Sequence, residues 1–470
     1  MRKTKIVCTI GPASGSEEIL RGLCLAGMNV ARLNFSHNTH EDHFKRIELI
    51  KKVRAELGLP IAIMLDTKGP EFRIKTFEGG KITLAEGADF TFTANDVIGN
   101  EHFVSVSYPK LPEELSVGDT ILLNNGLLTF SVKSIEGADI HCSVVCGGEL
   151  SDRKSMSFPG KVMKQKYLSE QDKADIKFGI ENGVDYIACS FVSGKQDLID
   201  VHEYLRELGA DNIELIAKIE NQSGVDNIDE ICQYCDGIMV ARGDMGVEIP
   251  FEQLPAIQKK LITKCRLLGK RVITATEMLE SMIHNSRPTR AEISDIANAV
   301  YDGTSAIMLS GETAAGKYPV QSVQTMAKIA ETTESTIDYK KRFHNAEFKI
   351  KNSVDAISHS TCGMAIDIDS KAIVACTLSG MTARMVSRFR SPVDIIGLTT
   401  DETTWRRLAL SWGVIPAMCE KFTSTDVLFY TAKKIAAKSL DLKKGDKIVI
   451  TGGDTTGQAG KTNLIKIEEI

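Results

Sequence analysis

The 470-residue sequence contains no long apolar run, and nowhere does it approach the ~20 consecutive apolar residues of a membrane-spanning helix. It also lacks a strong excess of charge, because 57 Lys and Arg residues stand against 62 Asp and Glu residues, which gives 57 − 62 = −5. This balance gives no electrostatic reason to expect nucleic acid or a membrane surface as a partner. The apolar stretch after the first basic residues is too short for a signal peptide, so we expect a cytoplasmic protein.

Cysteines are few and scattered: the 470 residues include 11. The one Cys-x-x-Cys pair, Cys232 and Cys235, lacks a second pair at the spacing of a zinc ribbon. The pattern therefore predicts free, buried thiols in a reducing compartment, without disulfides or a structural zinc ion.

Apolar, β-branched runs that alternate with helical patterns dominate the sequence. We predict strands at 5–10, 28–34, 61–66, 185–191, 213–220, 236–242, 271–276 and 306–310. Runs of this kind are typical of parallel strands buried on both faces. Three strands before residue 69 and five after residue 168 make the eight of a (β/α)8 TIM barrel, which we place at 1–69 plus 168–345.

Two further regions have a different texture. Segment 70–167 consists of short alternating runs punctuated by Gly, Asn and Asp, which predicts a small β-barrel domain inserted after the third strand, as a lid over the barrel mouth. Segment 346–470 returns to an α/β pattern and predicts a separate domain with an open sheet. The fold class is therefore α/β.

Six of the eight predicted barrel strands end in polar residues able to carry chemistry. In such barrels the strand ends that face the βα loops form the site. Side chains two apart share a face, so Arg32, Asn34 and Ser36 point together, and so do Lys218 and Glu220. A solvated rim of charges is the alternative for any single end, but six such ends favour a functional site.

The residue types at these ends indicate metal-assisted chemistry on a small phosphorylated anion. Glu220 and Asp244 have oxygen-rich neighbours and no clustered His or Cys, which suits a hard cation such as Mg2+, or Mn2+. Lys218, Arg32 and Arg73 suit a phosphoryl group whose charge moves in the transition state. The glycines on either side of Asp244 leave backbone N–H groups exposed to bind an anion.

One nucleotide-binding motif is incomplete. Gly460, Lys461 and Thr462 end a segment that resembles a P-loop, but Thr455 occupies the position of its first glycine. The following residues predict a strand rather than a helix, which argues against a Walker A site.

The sequence resembles the pyruvate kinase family along its whole length. The matching motifs, in order, are TKIVCTIGP at 4–12, GMNVARLNFSH at 27–37, LDTKGPEFR at 65–73, KIENQ at 218–222, DGIMVARGDMGVE at 236–248, RPTRAE at 287–292 and LSGETA at 309–314. This resemblance implies transfer of a phosphoryl group from phosphoenolpyruvate to ADP, giving pyruvate and ATP, the final step of glycolysis.

The resemblance also implies roles for individual residues. It implies Mg2+ binding by Glu220 and Asp244, K+ binding by Asn34, Ser36, Asp66 and Thr67, catalysis by Lys218, Arg32, Arg73 and Thr276, substrate binding by Arg32, Lys218, Gly243, Asp244 and Thr276, and nucleotide binding by Asn34, Phe35, Ser36, His37, Arg73 and Lys154. Thr276 lies near the point where the enolate is protonated.

Two departures from the family pattern lie outside the predicted metal and phosphoryl-binding residues, so we expect them to adjust the kinetics rather than to abolish activity. Glu277 stands where the family usually has Gln, and Ser193 with Gly194 replaces a basic pair. A third position divides the family: members with Glu where this chain has Glu71 tend to require K+, and members with Lys there do not. We therefore expect dependence on K+.

The last domain carries a predicted regulatory site. Thr377, Ser379, Gly380 and Thr382 form a hydroxyl-rich strand-to-helix turn, for which an ordinary capped turn is the alternative reading. The second loop of the family's effector site offers only Asp454 and Lys461 here. We expect a sugar phosphate or nucleoside monophosphate as activator, and the resemblance implies a homotetramer.

Two other functions fit parts of the pattern. A Mg-dependent TIM-barrel lyase or aldolase that forms a pyruvate enolate would need the same carboxylates but no nucleotide lid. A sugar-phosphate sensor on an inactive barrel would have lost Lys218 or the carboxylates, and all of them are present.

Overall fold

The computed structural model describes residues 1–161, 163–422, 424–453 and 462–470. Its first segment alternates strands and helices. The elements are β1 (Lys5–Thr9), α1 (Glu17–Ala26), β2 (Val30–Asn34), α2 (His40–Leu57) and β3 (Ala62–Asp66), with a 3-10 turn at Pro12–Ser14. The strands are buried because they carry β-branched and small apolar side chains on both faces. A reciprocal capping box between Thr39 and Asp42 begins α2.

The inserted segment is almost entirely β structure. Its elements are β4 (Phe72–Arg73), β5 (Lys81–Leu84), β6 (Asp89–Thr93), β7 (Phe103–Ser105), α3 (Leu111–Glu114), β8 (Thr120–Leu123), β9 (Leu128–Glu136), β10 (Asp139–Cys146), β11 (Gly148–Ser151) and β12 (Ser155–Ser157). Seven strands form one sheet in the order β4-β12-β8-β9-β10-β6-β7, and β5 pairs with β11. An antiparallel bridge between Ile74 and Val106 joins the two edges, so the sheet closes on itself.

The chain then resumes the βα alternation. The elements are α4 (Glu170–Glu181), β13 (Tyr186–Cys189), α5 (Lys195–Glu207), β14 (Glu214–Ile219), α6 (Gln222–Asp226), α7 (Ile228–Tyr234), β15 (Gly237–Ala241), α8 (Arg242–Glu248), α9 (Leu254–Leu268), β16 (Arg271–Ala275), α10 (Arg290–Asp302), β17 (Ala306–Leu309), α11 (Gly311–Ala314), α12 (Pro319–Ser335) and α13 (Tyr339–Asn345), with 3-10 turns at Phe251–Gln253 and Glu280–Ile283.

Eight parallel strands close into the predicted barrel. Their order is β1-β17-β16-β15-β14-β13-β3-β2, and β1 pairs with both β2 and β17. The register places Asn34 beside Asp66 at the carboxyl ends of β2 and β3. This register gathers the polar strand ends at one mouth of the barrel.

The last segment forms an open α/β sheet. Its elements are α14 (Ser353–Asp367), β18 (Ala372–Cys376), α15 (Met381–Ser387), β19 (Asp394–Thr399), α16 (Glu402–Arg407), a 3-10 turn at Leu408–Leu410, β20 (Val414–Met418), α17 (Thr425–Leu440), β21 (Lys447–Gly452) and β22 (Leu464–Glu469). The order is β20-β19-β18-β21-β22, and only β22 is antiparallel to its neighbour.

This C-terminal domain packs against the amino-terminal ends of the barrel strands. Leu410 belongs to the same buried cluster as Val7 and Ile273 of the barrel interior. Lys5 at the start of β1 donates to the Val414 carbonyl at 2.7 Å, and the Tyr186 hydroxyl donates to the Arg407 carbonyl at 2.5 Å. The domain therefore covers the mouth opposite the polar strand ends.

The fold class is the predicted one, while the exact domain borders stay predictions. Short β4, β11 and β12 and the edge strand β20 were not foreseen, whereas the predicted final strand is present as β22. The incomplete P-loop lies almost wholly outside the described residues, which resume at Thr462. None of the helices in the described part of the chain has the length and apolar character needed to cross a membrane.

Candidate active site

Three charged side chains from three strands meet inside the carboxyl end of the barrel. Asp66, the last residue of β3, accepts hydrogen bonds from Arg32 Nε at 2.6 Å and from Lys218 Nζ at 2.9 Å. All three side chains are buried. One carboxylate therefore holds two of the cations that the sequence suggested for phosphoryl binding.

Two hydroxyl groups that sequence reasoning missed complete this cluster. Ser190 Oγ accepts from Lys218 Nζ at 2.7 Å and donates to the Thr67 carbonyl at 2.6 Å. Thr9 Oγ1 accepts from Arg32 Nη1 at 2.9 Å. These residues lie at the ends of β13 and β1, the two strands without charged ends. The only sequence feature that could have indicated Ser190 and Thr9 was their position at a strand end, because neither side chain is charged.

Electrostatics keep this cluster ionised although it is buried. Burial favours the neutral form of Asp66, but Arg32 and Lys218 outweigh it and lower the pKa of the carboxyl. Burial likewise favours the neutral form of Lys218. The negative charges of Asp66 and Glu220 outweigh this effect, so the pKa of the ammonium group is raised. Lys218 is therefore a fixed positive charge in a site of low dielectric constant.

Glu220 has one oxygen free for a further ligand. Its Oε2 accepts from the Phe191 backbone N–H at 2.6 Å, while Oε1 lies 3.1 Å from Lys218 Nζ without a hydrogen bond among the described residues. Burial raises the pKa of Glu220 to about 7; Lys218 works against this rise, and Asp244 and Asp66 add to it. A bound cation would relieve this destabilised charge.

Strained backbone follows β16 and borders the same mouth. Thr276 and Glu277 have φ values of 69° and 54°, a region that residues other than glycine rarely adopt and that is least favourable for a β-branched residue such as Thr276. Arg242 holds this turn because it donates to the carbonyls of Ala275 at 3.2 Å and Thr276 at 2.5 Å. The Gly243 N–H donates to Thr276 Oγ1 at 2.8 Å, which brings the two predicted carboxylate-binding residues together.

Comparison with known proteins gives this constellation its family. Residues 1–323 match the family model of the pyruvate kinase barrel domain, and residues 355–468 match that of the pyruvate kinase alpha/beta domain. The chain belongs to the pyruvate kinase family.

Individual pyruvate kinases match this chain over its full length. The chain is 46% identical over 474 residues to the pyruvate kinase of Clostridium acetobutylicum, with 100% of both chains covered. It is 48% identical over 472 residues to that of Geobacillus stearothermophilus, covering 100% of this chain and 80% of the relative. A solved pyruvate kinase structure from Cryptosporidium parvum has a TM-score of 0.94 at 38% identity and covers 100% of this chain and 96% of its own.

These findings identify an enzyme, a phosphotransferase of the pyruvate kinase type that acts on phosphoenolpyruvate and ADP. They give no support to the lyase or aldolase alternative. Members of this family generally need a divalent cation and K+.

The four residues predicted to bind K+ lie on two adjacent strand ends. Asn34 Oδ1 accepts from the Ser36 N–H at 3.1 Å, and the Phe35 N–H donates to the Asp66 carbonyl at 3.0 Å. Thr67 Oγ1 accepts from the Ser190 N–H at 3.2 Å. The register of β2 and β3 thus brings the set together.

Arg73 stands apart from the Lys218 cluster in the described contacts. It lies on β4 of the insert, where its guanidinium pairs with Glu71 Oε1 at 2.6 Å and donates to the Arg153 carbonyl at 2.6 Å. The Lys154 carbonyl accepts from the Ile74 N–H at 3.0 Å. Arg73 and Lys154, both predicted to bind nucleotide, therefore sit at the base of the insert.

A buried histidine supports the loop that follows β2. His43 of α2 stacks on Phe35 with ring centroids 3.9 Å apart, and its Nε2 donates to the His37 carbonyl at 2.9 Å. Sequence reasoning gave His43 no role. The contacts fix the backbone of the loop from Asn34 to His37.

A cleft separates the insert from the barrel mouth. Glu71, Phe72 and Ser157 line it from the insert side, and Ser193, Asn221 and Asp244 line it from the barrel. Ser193, one of the departures from the family, donates its N–H to Asp197 at the start of α5. The cleft is open to both the Asp244 carboxylate and the base of the insert.

The predicted effector turn has the expected local structure. Gly380, with φ of 80°, precedes α15, and Thr382 Oγ1 shares a hydrogen bond of 2.8 Å with Thr462 Oγ1. Thr377 and Ser379 lie between β18 and this cap. Asp454 and Lys461 of the second loop lie outside the described residues.

Proposed function

We propose that Lys218 stabilises the phosphoryl group as it passes from phosphoenolpyruvate to ADP, with Arg32 holding its oxygens. The observation that carries this proposal is the buried Lys218 ammonium, fixed by Asp66 and Ser190 beside the free oxygen of Glu220. A charge fixed in a dry site needs no rearrangement when the transition state forms, so its interaction with the moving phosphoryl is strong.

The divalent cation would be held by Glu220 and Asp244. Glu220 offers a buried oxygen without a hydrogen bond among the described residues, and the exposed Asp244 carboxylate stands in the first turn of α8. Oxygen ligands of this kind fit Mg2+ or Mn2+. When bound, the cation supplies positive charge that screens the repulsion between two anionic substrates.

A monovalent cation would be held by Asn34, Ser36, Asp66 and Thr67. These residues supply only oxygen, and the Asp66 charge is already shared between Arg32 and Lys218. A weakly hydrated ion such as K+ suits a set with so little residual negative charge, whereas a divalent ion would require more.

The substrate carboxylate would bind at the Gly243–Thr276 contact. The backbone N–H groups of Gly243 and Asp244 lie in the first turn of α8. The Thr276 hydroxyl, which here accepts from the Gly243 N–H, would give up that contact to the carboxylate. Arg242 keeps this turn rigid. We place enolate protonation on this side of the site, near Thr276.

The nucleotide would lie between the barrel and the insert. Asn34, Phe35, Ser36 and His37 form the barrel side, and Arg73 with Lys154 forms the insert side. The supporting observation is the position of Arg73 and Lys154 at the base of the insert, which follows β3 at the barrel mouth and would close as a lid over the reacting groups.

Regulation would come from the C-terminal domain. We extend the proposal to a phosphorylated activator at Thr377, Ser379, Gly380 and Thr382, in a cytoplasmic homotetramer. The support for this part is the strand-to-helix turn, in which Ser379 is exposed and Thr382 is buried, together with the resemblance to the pyruvate kinase family.

A coupled assay tests the reaction. Purified protein is given phosphoenolpyruvate and ADP with Mg2+ and K+, and pyruvate and ATP are both measured. We expect the two products in equal amounts and no pyruvate when ADP is omitted. Pyruvate that appears without ADP would contradict phosphoryl transfer to the nucleotide.

A further inference from the structure

Three cysteines meet between two outer helices of the barrel, apart from the catalytic cluster. Cys232 lies on α7, Cys235 caps the end of α7 and Cys265 lies on α9. The Sγ atoms of Cys232 and Cys265 are 3.7 Å apart, which is hydrogen-bond distance for sulfur, and the Cys235 thiol is a further neighbour of Cys232. All three are free and buried. The sequence pattern predicted buried thiols but not this third partner.

The cluster makes Cys232 the most acidic of the three thiols. Hydrogen bonds from Cys235 and Cys265 lower the pKa of Cys232; burial works against them, and the nearby Lys270 and Lys264 add to them. The same contacts and burial raise the pKa of Cys235 and of Cys265. The thiolate is the reactive form of cysteine, and Cys232 is the thiol that neighbours both of the others. Cys232 is therefore assigned as the nucleophile, and Cys265, with its Sγ 3.7 Å away, as the resolving thiol.

Another buried thiol of this chain shows the contrast. Cys362 donates to the Val386 carbonyl at 3.6 Å, and burial raises its pKa. It has no thiol among its described hydrogen-bond partners. Such a thiol is inert, and it has no adjacent sulfur with which to form a disulfide.

We propose that Cys232 and Cys265 form a reversible disulfide when the protein meets a peroxide. The Cys232 thiolate attacks a peroxide oxygen, the O–O bond breaks, and the leaving alkoxide or hydroxide takes up a proton. The resulting sulfenic acid is attacked by Cys265, so that the S–S bond forms, the S–O bond breaks and water leaves. In sum, two thiols lose two electrons and two protons. Hydrogen peroxide gives two water molecules, and an organic peroxide gives one alcohol and one water.

The position of the cluster gives this oxidation a route and a consequence. Lys264 and Asp229 form an ion pair of 2.5 Å between α9 and α7. Lys264 stands next to Cys265, and Asp229 stands one turn before Cys232, so this ion pair bridges the two helices beside the thiols. A small neutral peroxide can pass when this seam opens locally. Asp236, next to Cys235, pairs with Arg384 of the C-terminal domain at 3.0 Å. The disulfide would thus form beside a contact between the two domains.

Peptide mapping of the full-length protein tests the proposal. The reduced protein is treated with hydrogen peroxide at low molar excess, free thiols are blocked with N-ethylmaleimide, and non-reduced peptides are analysed by mass spectrometry. We expect a linked peptide containing Cys232 and Cys265 that disappears after dithiothreitol. Thiols that persist at both positions, at doses that oxidise the exposed Cys146, would overturn the proposal. A link between Cys232 and Cys235 instead would overturn the assigned partner.

Two alanine variants separate this chemistry from general oxidation. In Cys265→Ala the sulfenic acid of Cys232 has lost its partner, so we expect a dimedone adduct at Cys232. In the matched variant Cys362→Ala, another buried thiol is removed, and the Cys232–Cys265 link should form as in the wild type. If Cys265→Ala does not fold, the wild-type map alone decides.

Discussion

Lys218 keeps its positive charge inside the protein because Asp66 and Glu220 surround its ammonium group. The ammonium also donates to Ser190 at 2.7 Å, so its position is fixed as well as its charge. A flexible surface lysine would have to be ordered and desolvated each time the transition state formed. The buried cluster removes that cost, since the orientation is set when the chain folds.

Lys218→Ala should lower kcat by about 10²–10³-fold or more, the usual effect of removing one pre-organised charge or donor. Binding of phosphoenolpyruvate should stay near normal, because Arg32 and the Gly243–Thr276 contact remain. Steady-state kinetics and a direct binding titration measure the two effects. Lys45→Ala, at an exposed ion pair on α2, is the control and should leave both unchanged. Wild-type turnover in Lys218→Ala would refute the assigned role.

Glu220→Gln should weaken divalent-cation dependence while keeping the size of the side chain. The amide removes the negative charge that a cation would neutralise, so more Mg2+ should be needed for half-maximal activity. A Mg2+ titration of the initial rate measures the shift, and Glu280→Gln provides a control for a carboxylate outside the proposed metal set. An unchanged Mg2+ midpoint would place the cation elsewhere.

His43 should make the protein less stable in mild acid. Burial lowers the pKa of His43 to about 4, although its hydrogen bond to His37 works against this. In the unfolded chain the pKa of this histidine is near 6.5, so between these two pH values the unfolded chain binds a proton that the folded chain does not. The contribution of neutral His43 to the free energy of unfolding is full above pH 6.5. It falls, by at most about 1.4 kcal/mol per pH unit, as the pH drops towards 4. His43→Phe keeps a ring on Phe35 and cannot titrate.

Melting temperatures of wild type and His43→Phe at pH 7 and pH 5 measure this linkage. We expect the variant to lose less stability between the two pH values than the wild type. His102→Phe, at an exposed histidine, should follow the wild type. Parallel pH profiles for His43→Phe and wild type would contradict the prediction.

The charged residues of the candidate site could be predicted from the sequence, whereas its uncharged residues could not. Arg32, Asp66, Lys218 and Glu220 were found because a charged residue at the end of an apolar strand has few structural reasons to be there. Ser190 and Thr9 were missed because hydroxyl residues are common at strand ends. Arg242 lies inside the motif at 236–248 but received no predicted role, because it holds backbone carbonyls whose positions depend on the φ angle of Thr276.

Strand prediction succeeded where burial imposed a pattern and failed where it did not. The eight barrel strands are apolar on both faces, so their runs stand out. Strand β4 has only two residues, which is too few to show a period. Strand β20 contains Pro416, which argues against a central strand and is tolerated here because β20 lies at the sheet edge.

The connection between β3 and β4 should govern K+ dependence. Glu71 adds negative charge near two anionic substrates, and its ion pair with Arg73 partly neutralises the guanidinium that we propose for phosphate binding. We therefore expect activity in K+ or NH4+, with poor support by Na+ or Li+. Glu71→Lys should relax the requirement at some cost in rate, because an ammonium group replaces the missing positive charge.

Initial rates in chloride salts of K+, NH4+, Na+ and tetramethylammonium test this expectation. Glu71→Gln separates loss of the carboxylate from gain of a cation, and it should relax the requirement less than Glu71→Lys. Full turnover of the wild type in tetramethylammonium alone would show that the prediction is wrong.

The barrel and the C-terminal domain are joined by buried ion pairs at the mouth opposite the active site. Arg384 Nη1 lies 3.1 Å from Glu214 and 3.0 Å from Asp236, and Arg271 pairs with Glu214 at 2.8 Å. Burial favours the neutral form of Asp236, but Arg384 outweighs it and lowers the pKa of this carboxyl. Each charge is acceptable there only because its partner is present.

Arg384→Met should destabilise the whole molecule by on the order of 3–5 kcal/mol, the typical cost of leaving a buried charge without its partner. We expect a lower melting temperature in calorimetry and separation of one transition into two, because the contact between the domains is weakened. Lys133→Met, which removes an exposed ion pair to Asp89 within the insert, should change the melting temperature little. Equal melting temperatures for Arg384→Met and wild type would contradict this account.

The position of Leu410 in the barrel interior has a consequence for synthesis. A ribosome releases the eight barrel strands, from Lys5 to Leu309, about one hundred residues before the side chain that fills their amino-terminal opening. The nascent barrel must therefore wait, with an unfilled apolar floor, until the C-terminal domain emerges. A gene truncated between the two domains should yield a chain that depends on chaperones and aggregates, even though it encodes every residue of the proposed catalytic centre.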